Sequence, residues 1–292
     1  MAKIGLGLIT CNAPEKFKQS VSTIPNWLDE FVVVNDGAPY DGSLYPEKAA
    51  VVQHSENCGV AVTKNDAIRY LLDKDCDHIF IMEDDVLIWD EKVFEAYISA
   101  SLATGILHFN YGLQGPYNRV QGTHWSRFAK KVLRKAGLGS RSNDRASLDE
   151  RSSPKPRYVH SYGDGIKIAF YRHCVGAFSY YRKEALFQVG LMDENFYNAW
   201  EHVDHTYQLA KGMYTSPFWW FADLENSDSY LKNIPNCMAQ STIARTPSWQ
   251  ANVESGEKYF VSKEGIRFRD IENVPKDELL RVLGEIKAKG AL

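Results

Sequence analysis

Four short apolar runs in the first hundred residues, at 4–10, 31–35, 50–54 and 78–83, alternate with stretches of helical patterning. This alternation constrains the fold more than any other feature of the chain. Helices are expected after Pro14, whose ring suits a first helical turn, across 60–73 and across 92–103. Strands alternating with helices build a parallel sheet covered on its faces, and such sheets bind ligands beyond the carboxyl ends of their strands. Thr10, Asp36, Asn57 and Asp85 fall at those ends. The fourth run says most about chemistry. It reads Ile79-Phe80-Ile81-Met82-Glu83-Asp84-Asp85-Val86, three adjacent acids closing an apolar strand. Repulsion and desolvation both oppose a carboxylate cluster beside a core, and a divalent cation relieves both. The alternative is a solvated turn whose acids face water.

With 292 residues, 44% of them hydrophobic, the chain can bury one large core or two closely packed halves. A net charge of −3 marks it globally as neither a nucleic-acid nor a membrane protein, so any such contact must come from local asymmetry. Cys11, Cys58, Cys76, Cys174 and Cys237 are odd in number and lack paired metal spacing, which argues against a disulfide scaffold or a zinc site and fits a reducing cytoplasm. The start of the chain enters a strand pattern without a signal-peptide layout, and no apolar run is long enough to span a bilayer. No transmembrane segment is expected.

The asymmetry lies in the middle. Residues 127–157 hold ten Lys or Arg against three acids. Trp125, Phe128, Val132 and Leu133 recur at helical spacing while Lys130, Lys131, Arg134 and Lys135 occupy the other faces, giving a basic amphipathic helix before a Ser/Gly/Pro-rich loop. Such a segment suits a polyanion or an anionic membrane, or else is an ordinary surface helix. Beyond it, the patterning predicts a strand at 174–181, a helix at 183–189, and a helix carrying Trp200-Glu201-His202-Val203-Asp204-His205 that ends at Gly212. A strand at 217–221 and a charged helix at 275–289 complete the reading. The expected organisation is a first half at 1–105, a second at 106–225 interrupted by a basic insertion at 124–157, and a flanking segment at 226–292.

Four motifs in order carry a resemblance. Leu8-Ile9-Thr10-Cys11-Asn12 resembles the first-strand motif of the nucleotide-sugar glycosyltransferases of the GT-A fold, family 2 most closely. Val33-Val34-Asn35-Asp36-Gly37 through Asp41-Gly42-Ser43 is similar to their second-strand motif, and Asn57-Cys58-Gly59 through Asn65 to the element after the third strand. Glu83-Asp84-Asp85 stands where the metal-binding D-x-D does. Each motif alone is weak, and their order makes them specific.

The resemblance implies an α/β GT-A (Rossmann-like) mixed sheet flanked by helices, a nucleoside-diphosphate sugar donor, and inverting transfer of one sugar. It makes 1–105 the nucleotide-sugar-binding half and 106–225 the acceptor and catalytic half. A departing diphosphate needs a divalent ion to neutralise it, and oxygen ligands point to Mn2+ or Mg2+. Asp85 is the expected metal ligand, with His205 as a further one. Thr10, Asn12, Asp36, Asn57 and Asn65 are expected at the donor, together with Glu83 at the ribose, or at the ion through water, and Asp84 bridging them. Asp41 is an alternative to Asp36 for the base contact, because the motif's acid is shifted by one place.

In the family an E-D pair on the later helix supplies the base that deprotonates the acceptor hydroxyl. Here the stretch reads Glu201-His202-Val203-Asp204, so Glu201, His202 and Asp204 are all candidates. Motif position puts Glu201 first and Asp204 next. Trp200 can stack on a sugar or base. The Q-x-x-R-W element of processive synthases is absent, which favours single transfer. Two acceptors suit the basic segment: a hydroxylated base in duplex DNA, as in the DNA-modifying glycosyltransferases of bacteriophages, or a lipid-linked saccharide. A catalytically dead binding module is the remaining rival. A sugar nucleotidyltransferase would need a glycine-rich phosphate loop where Thr10-Cys11-Asn12-Ala13-Pro14 stands, and a phospho-receiver domain would be far shorter.

Overall fold

The computed structural model describes residues 2–112, 155–163, 165–235, 237, 241–244 and 246–290. Its first part runs β1 (Ile4–Thr10), α1 (Pro14–Val21), β2 (Glu30–Asn35), β3 (Ala50–Gln53), α2 (Val60–Asp73), β4 (His78–Glu83), β5 (Val86–Ile88) and α3 (Val93–Thr104). Then come β6 (His108–Asn110), β7 (Tyr158–Gly163), β8 (Ile166–Tyr171), β9 (Phe178–Arg182), α4 (Lys183–Val189) and α5 (Glu201–Lys211). The last part holds β10 (Phe221–Leu224), α6 (Ser227–Tyr230), β11 (Leu231–Asn233), α7 (Trp249–Glu264) and α8 (Lys276–Gly290).

The central sheet has the order β3-β2-β1-β4-β9-β6. Its first four strands are parallel, and β9 runs antiparallel between β4 and β6. This mixed sheet, flanked by helices, is the α/β class expected from the motifs. A separate antiparallel sheet, β10-β8-β7, and the β11-β5 pair extend it. One sheet therefore joins strands from before and after the basic segment. Within the described residues, the two expected halves share a backbone hydrogen-bond network.

Buried on both faces, β1, β2 and β4 read as apolar runs because helices cover each side. On one side Leu6, Leu8, Phe80, Phe94 and Tyr97 form the larger core, and on the other Ile9, Val34, Ala67, Ile68 and Ile81 pack under α2. The close approach of α2 explains one glycine of β1. A Cβ on Gly7 would stand 2.6 Å from the Ala67 Cβ.

Two expectations shift. Residues 217–221 are not one strand: Trp220 N–H donates to the Pro217 carbonyl at 3.0 Å and Trp219 has a left-handed φ of 71°, so a tight turn precedes β10. The expected strand at 174–181 begins only at Phe178. In both places a run of apolar residues was buried without being extended, which periodicity cannot distinguish. The basic helix with Lys130, Lys131, Arg134 and Lys135 lies outside the described residues. Among the described residues, no helix is long and apolar enough to cross a membrane.

Candidate active site

The carboxyl ends of β1, β2 and β4 meet the start of α5 in a cleft of about 250 Å3. Thr10, Asp36, Glu83, Asp84 and Asp85 from the strand ends line it, together with Trp200, Glu201 and His202 from the start of α5. The sheet brings the first group together because parallel strands end at a common edge. The second group arrives because β9 and α4 return the chain to that edge.

Each acid of the β4 run meets a different environment. Glu83 takes the Lys64 ammonium at 2.8 Å. Asp84 is buried, accepts a 2.6 Å hydrogen bond from the Thr10 hydroxyl, and lies 3.4 Å from the Lys16 ammonium. Burial pushes the Asp84 carboxyl up, and Lys16 and Thr10 only partly offset it. Asp85 lines the cleft beside them.

Lys64 is the centre of the arrangement. It is fully buried, and besides Glu83 its Nζ reaches Glu201 Oε1 at 3.2 Å and donates to the Gly176 carbonyl at 3.0 Å. Burial opposes its charge, yet Glu83 and Glu201 outweigh that and raise its pKa. Burial likewise opposes ionisation of Glu201, but Lys64 and His202 hold this carboxyl well below the usual range. His202 Nδ1 lies 3.0 Å from the same Glu201 oxygen.

The other expected donor residues divide. Asp36 accepts from the backbone N–H groups of Cys58 (2.7 Å) and Gly59 (3.0 Å), which ties the β2 end to the start of α2. Asn57 donates to the Cys11 sulfur and the Asp36 carbonyl and accepts from the Tyr197 hydroxyl at 2.6 Å, and Asn12 Oδ1 accepts from Ala38 N–H. Both shape the loops beside the cleft. Asp41 caps a short 3-10 turn by accepting from Ser43 N–H and does not line the cleft.

Three expected residues lie away from it. Asn65 is buried and staples α2 to the 192–194 turn through Met192 and Glu194. Asp204 is buried in an ion pair with Lys263 of α7 at 2.8 Å. Among the described residues His205 bonds nothing in the cleft: its Nε2 bonds the Gly190 carbonyl, its Nδ1 is buried with no partner among them, and burial lowers its pKa to about 4. Residues three apart are neighbours on a helix, so rotation alone does not separate these pairs. Asp204 is taken by Lys263 of α7 and His205 by the Gly190 carbonyl, partners that tertiary packing brings to α5.

Several cleft residues carry no motif signal. Lys16, Gly176, Thr242 and Trp249 line it, and the Thr242 hydroxyl donates to the Cys11 carbonyl at 2.9 Å, bringing the C-terminal segment over β1. Lys64 did leave a trace, because Ala61, Lys64, Ile68 and Leu71 follow helical spacing and place a lysine within an apolar stripe. Trp200 enters α5 with a left-handed φ of 74°, stacks on Phe268 and donates to the Val253 carbonyl, which holds its ring at the cleft wall.

Do these residues suit a divalent cation? The donors of the β4 run are all oxygens, the set that Mg2+ and Mn2+ prefer. Glu83, Asp84, Asp85 and Glu201 outnumber the two ammoniums of Lys16 and Lys64, so the cleft carries an excess of acid. A cation bound through Asp85 and completed by a ligand's phosphates fits that balance. One three-residue cluster, Asp36, His54 and Cys58, also brings ligand atoms within 4.8 Å of one another. There both His54 nitrogens are already bonded, Nδ1 to Asp36 (2.7 Å) and Nε2 to Asp66 (2.9 Å), so it is a hydrogen-bonded brace.

No family model and no curated protein matches the chain. Among solved structures it is similar to the crystal structure of S. aureus TarS, with 13% identity over 70% of this chain and 33% of that one, at a TM-score of 0.45. The chain thus spans about a third of that structure's length.

Proposed function

We propose that the chain is a metal-dependent inverting glycosyltransferase that moves one sugar from a nucleoside-diphosphate sugar to a hydroxyl acceptor. The observation that carries this reading is the meeting, in one cleft, of the β4 acids with Glu201 and His202 at the start of α5. Single-displacement transfer needs both groups: charge compensation where the diphosphate departs, and a proton acceptor facing it across the sugar.

Asp85 would hold Mn2+ or Mg2+, with Glu83 and Asp84 beside it. When bound, such an ion supplies the charge that stabilises the leaving diphosphate. Lys16, buried at the cleft with its pKa raised despite desolvation by Asp84 and Asp85, adds a fixed positive charge near the same phosphates. Thr10 orients Asp84, and Asp36 with Asn57 shapes the pocket for the base. Trp200 offers an aromatic wall against which a sugar ring can stack.

For the acceptor, the seven-charge excess at 127–157 supports a hydroxylated base in DNA, with the phosphates neutralised by Lys130, Lys131, Arg134 and Lys135 and the base leaving the stack to reach the donor. The five free cysteines support action in the reducing cytoplasm. The experiment is turnover of a panel of nucleotide sugars with Mn2+ or Mg2+ and with chelator, followed by the anomeric configuration of the product. Metal-dependent cleavage with inversion is expected. Neither cleavage nor binding of any donor would leave a binding module instead, and retained configuration would remove direct displacement. Salt-sensitive duplex binding lost on alanine substitution of the four basic residues supports DNA, whereas liposome binding without DNA affinity transfers the acceptor to the lipid-linked saccharide.

A further inference from the structure

We propose that the atom that takes the acceptor's proton is Nε2 of His202, and that Glu201, the acid favoured by motif position, is a positioning residue behind it. The proposal rests on the glycosyl-transfer reading above and assigns its base.

Three observations carry it. First, the Glu201 carboxylate is spent: it is 4% exposed, and one of its oxygens takes both Lys64 Nζ and His202 Nδ1. A carboxylate held ionised by a buried ammonium is a weak proton acceptor. Second, an ionised carboxylate accepts hydrogen bonds and donates none, so His202 Nδ1 must carry the proton that lies between them. The neutral ring then presents its lone pair at Nε2. Among the described residues that atom has no hydrogen-bond partner, and the His202 side chain, 23% exposed, lines the same cleft as the β4 acids. Third, the other groups of the helix are committed elsewhere, Asp204 to Lys263 and His205 to Gly190.

The backbone is cut to fit this pair. A Cβ on Gly176 would stand 2.5 Å from Lys64 Nζ and 3.0 Å from both Cγ and Nδ1 of His202. The ring and the ammonium that anchors its partner therefore pack against one bare stretch of main chain. Lys64 also ties the dyad to Glu83, so donor acids and base share one buried cation.

The step balances without a further reactant. As the acceptor oxygen forms its bond to the anomeric carbon, its proton passes to His202 Nε2, and the bond from that carbon to the diphosphate breaks with its electron pair going to the phosphate oxygen. The imidazolium formed faces the Glu201 carboxylate, which stabilises it, and it returns its proton to water after release.

The test uses the full chain with metal, a donor that the wild type turns over, and its acceptor. His202→Ala should lower kcat by about 10²-fold or more with donor KM unchanged, and added imidazole should restore part of the loss. His202→Gln, which keeps the bulk and the bond to Glu201, should show the same loss without rescue, and covers the case in which the alanine variant does not fold. Glu201→Gln should lower kcat in the wild-type background and add little in the His202→Gln background, because it acts only through the ring. Near-normal kcat in His202→Gln, or undiminished Glu201→Gln loss in the double variant, would overturn the assignment while leaving glycosyl transfer intact. A wild type that turns over no donor would remove both readings.

Discussion

Lys64 Nζ lies 2.8 Å from Glu83 Oε1, so a fully buried lysine of α2 reaches beneath the end of β4 to the first acid of the run. The same ammonium holds Glu201. The β4 acids and the start of α5 are thereby tied to one cation, and the consequences can be measured.

Lys64→Met should destabilise the chain by about 3–5 kcal/mol, because removing one partner strands the buried Glu201 carboxylate. Urea unfolding at several pH values checks this. In the wild type, Glu201 has a folded pKa below its usual 4.5, so its contribution is whole above pH 4.5 and drains as the pH falls toward the folded value. In the variant Lys64 no longer offsets burial and His202 is left as its main opponent, so that carboxyl should rise from its wild-type value. The gain in stability between acid and neutral pH should then be smaller than in the wild type.

Asp85→Asn should abolish metal-stimulated turnover while the chain remains folded, as checked by its circular dichroism and a cooperative melting transition. Calorimetric titration of Mn2+ in the presence of the nucleoside diphosphate should show the binding isotherm lost. Retained near-normal turnover would move the metal away from Asp85.

Asp204→Asn should separate stability from catalysis. Its carboxylate is buried against Lys263, so the variant leaves a lysine with one fewer partner and should lose about 1–3 kcal/mol of stability. At a temperature where it remains folded, kcat should be close to wild type. A 10²-fold loss in kcat instead would return Asp204 to the list of bases.

Gly176→Ala tests the packing behind the dyad. The added methyl must displace Lys64 or the His202 ring, and a shift of about 1 Å in a reacting group can cost up to about 10²-fold in rate. The expected outcome is a fall in kcat with donor binding preserved, read by steady-state kinetics and calorimetry.

Much of this protein was legible in its order of residues. The parallel strands and their helices follow from periodicity, since a strand buried on both faces has to be continuously apolar and a helix over it has to carry a stripe. Val60–Asp73 and His78–Glu83 match their expected bounds for that reason. The clustering of Thr10, Asp36 and Glu83–Asp85 was also legible, because carboxyl ends of neighbouring parallel strands must lie together.

What the sequence could not rank was the chemistry within α5. Glu201, His202, Asp204 and His205 lie within five consecutive positions and have similar local credentials. Only the tertiary structure decides that the first two face the cleft while the other two meet Lys263 and Gly190. Lys64 makes the same point from the other side: 137 residues separate it from Glu201, and no local pattern could pair them. Strand and helix formation depend on neighbours along the chain, so the sequence by itself determined the α/β sheet and the edge where its acids gather. The protonation of Glu201 and the direction of His202 depend on charges and backbone brought from distant segments, and those were decided only when the sheet closed around Lys64.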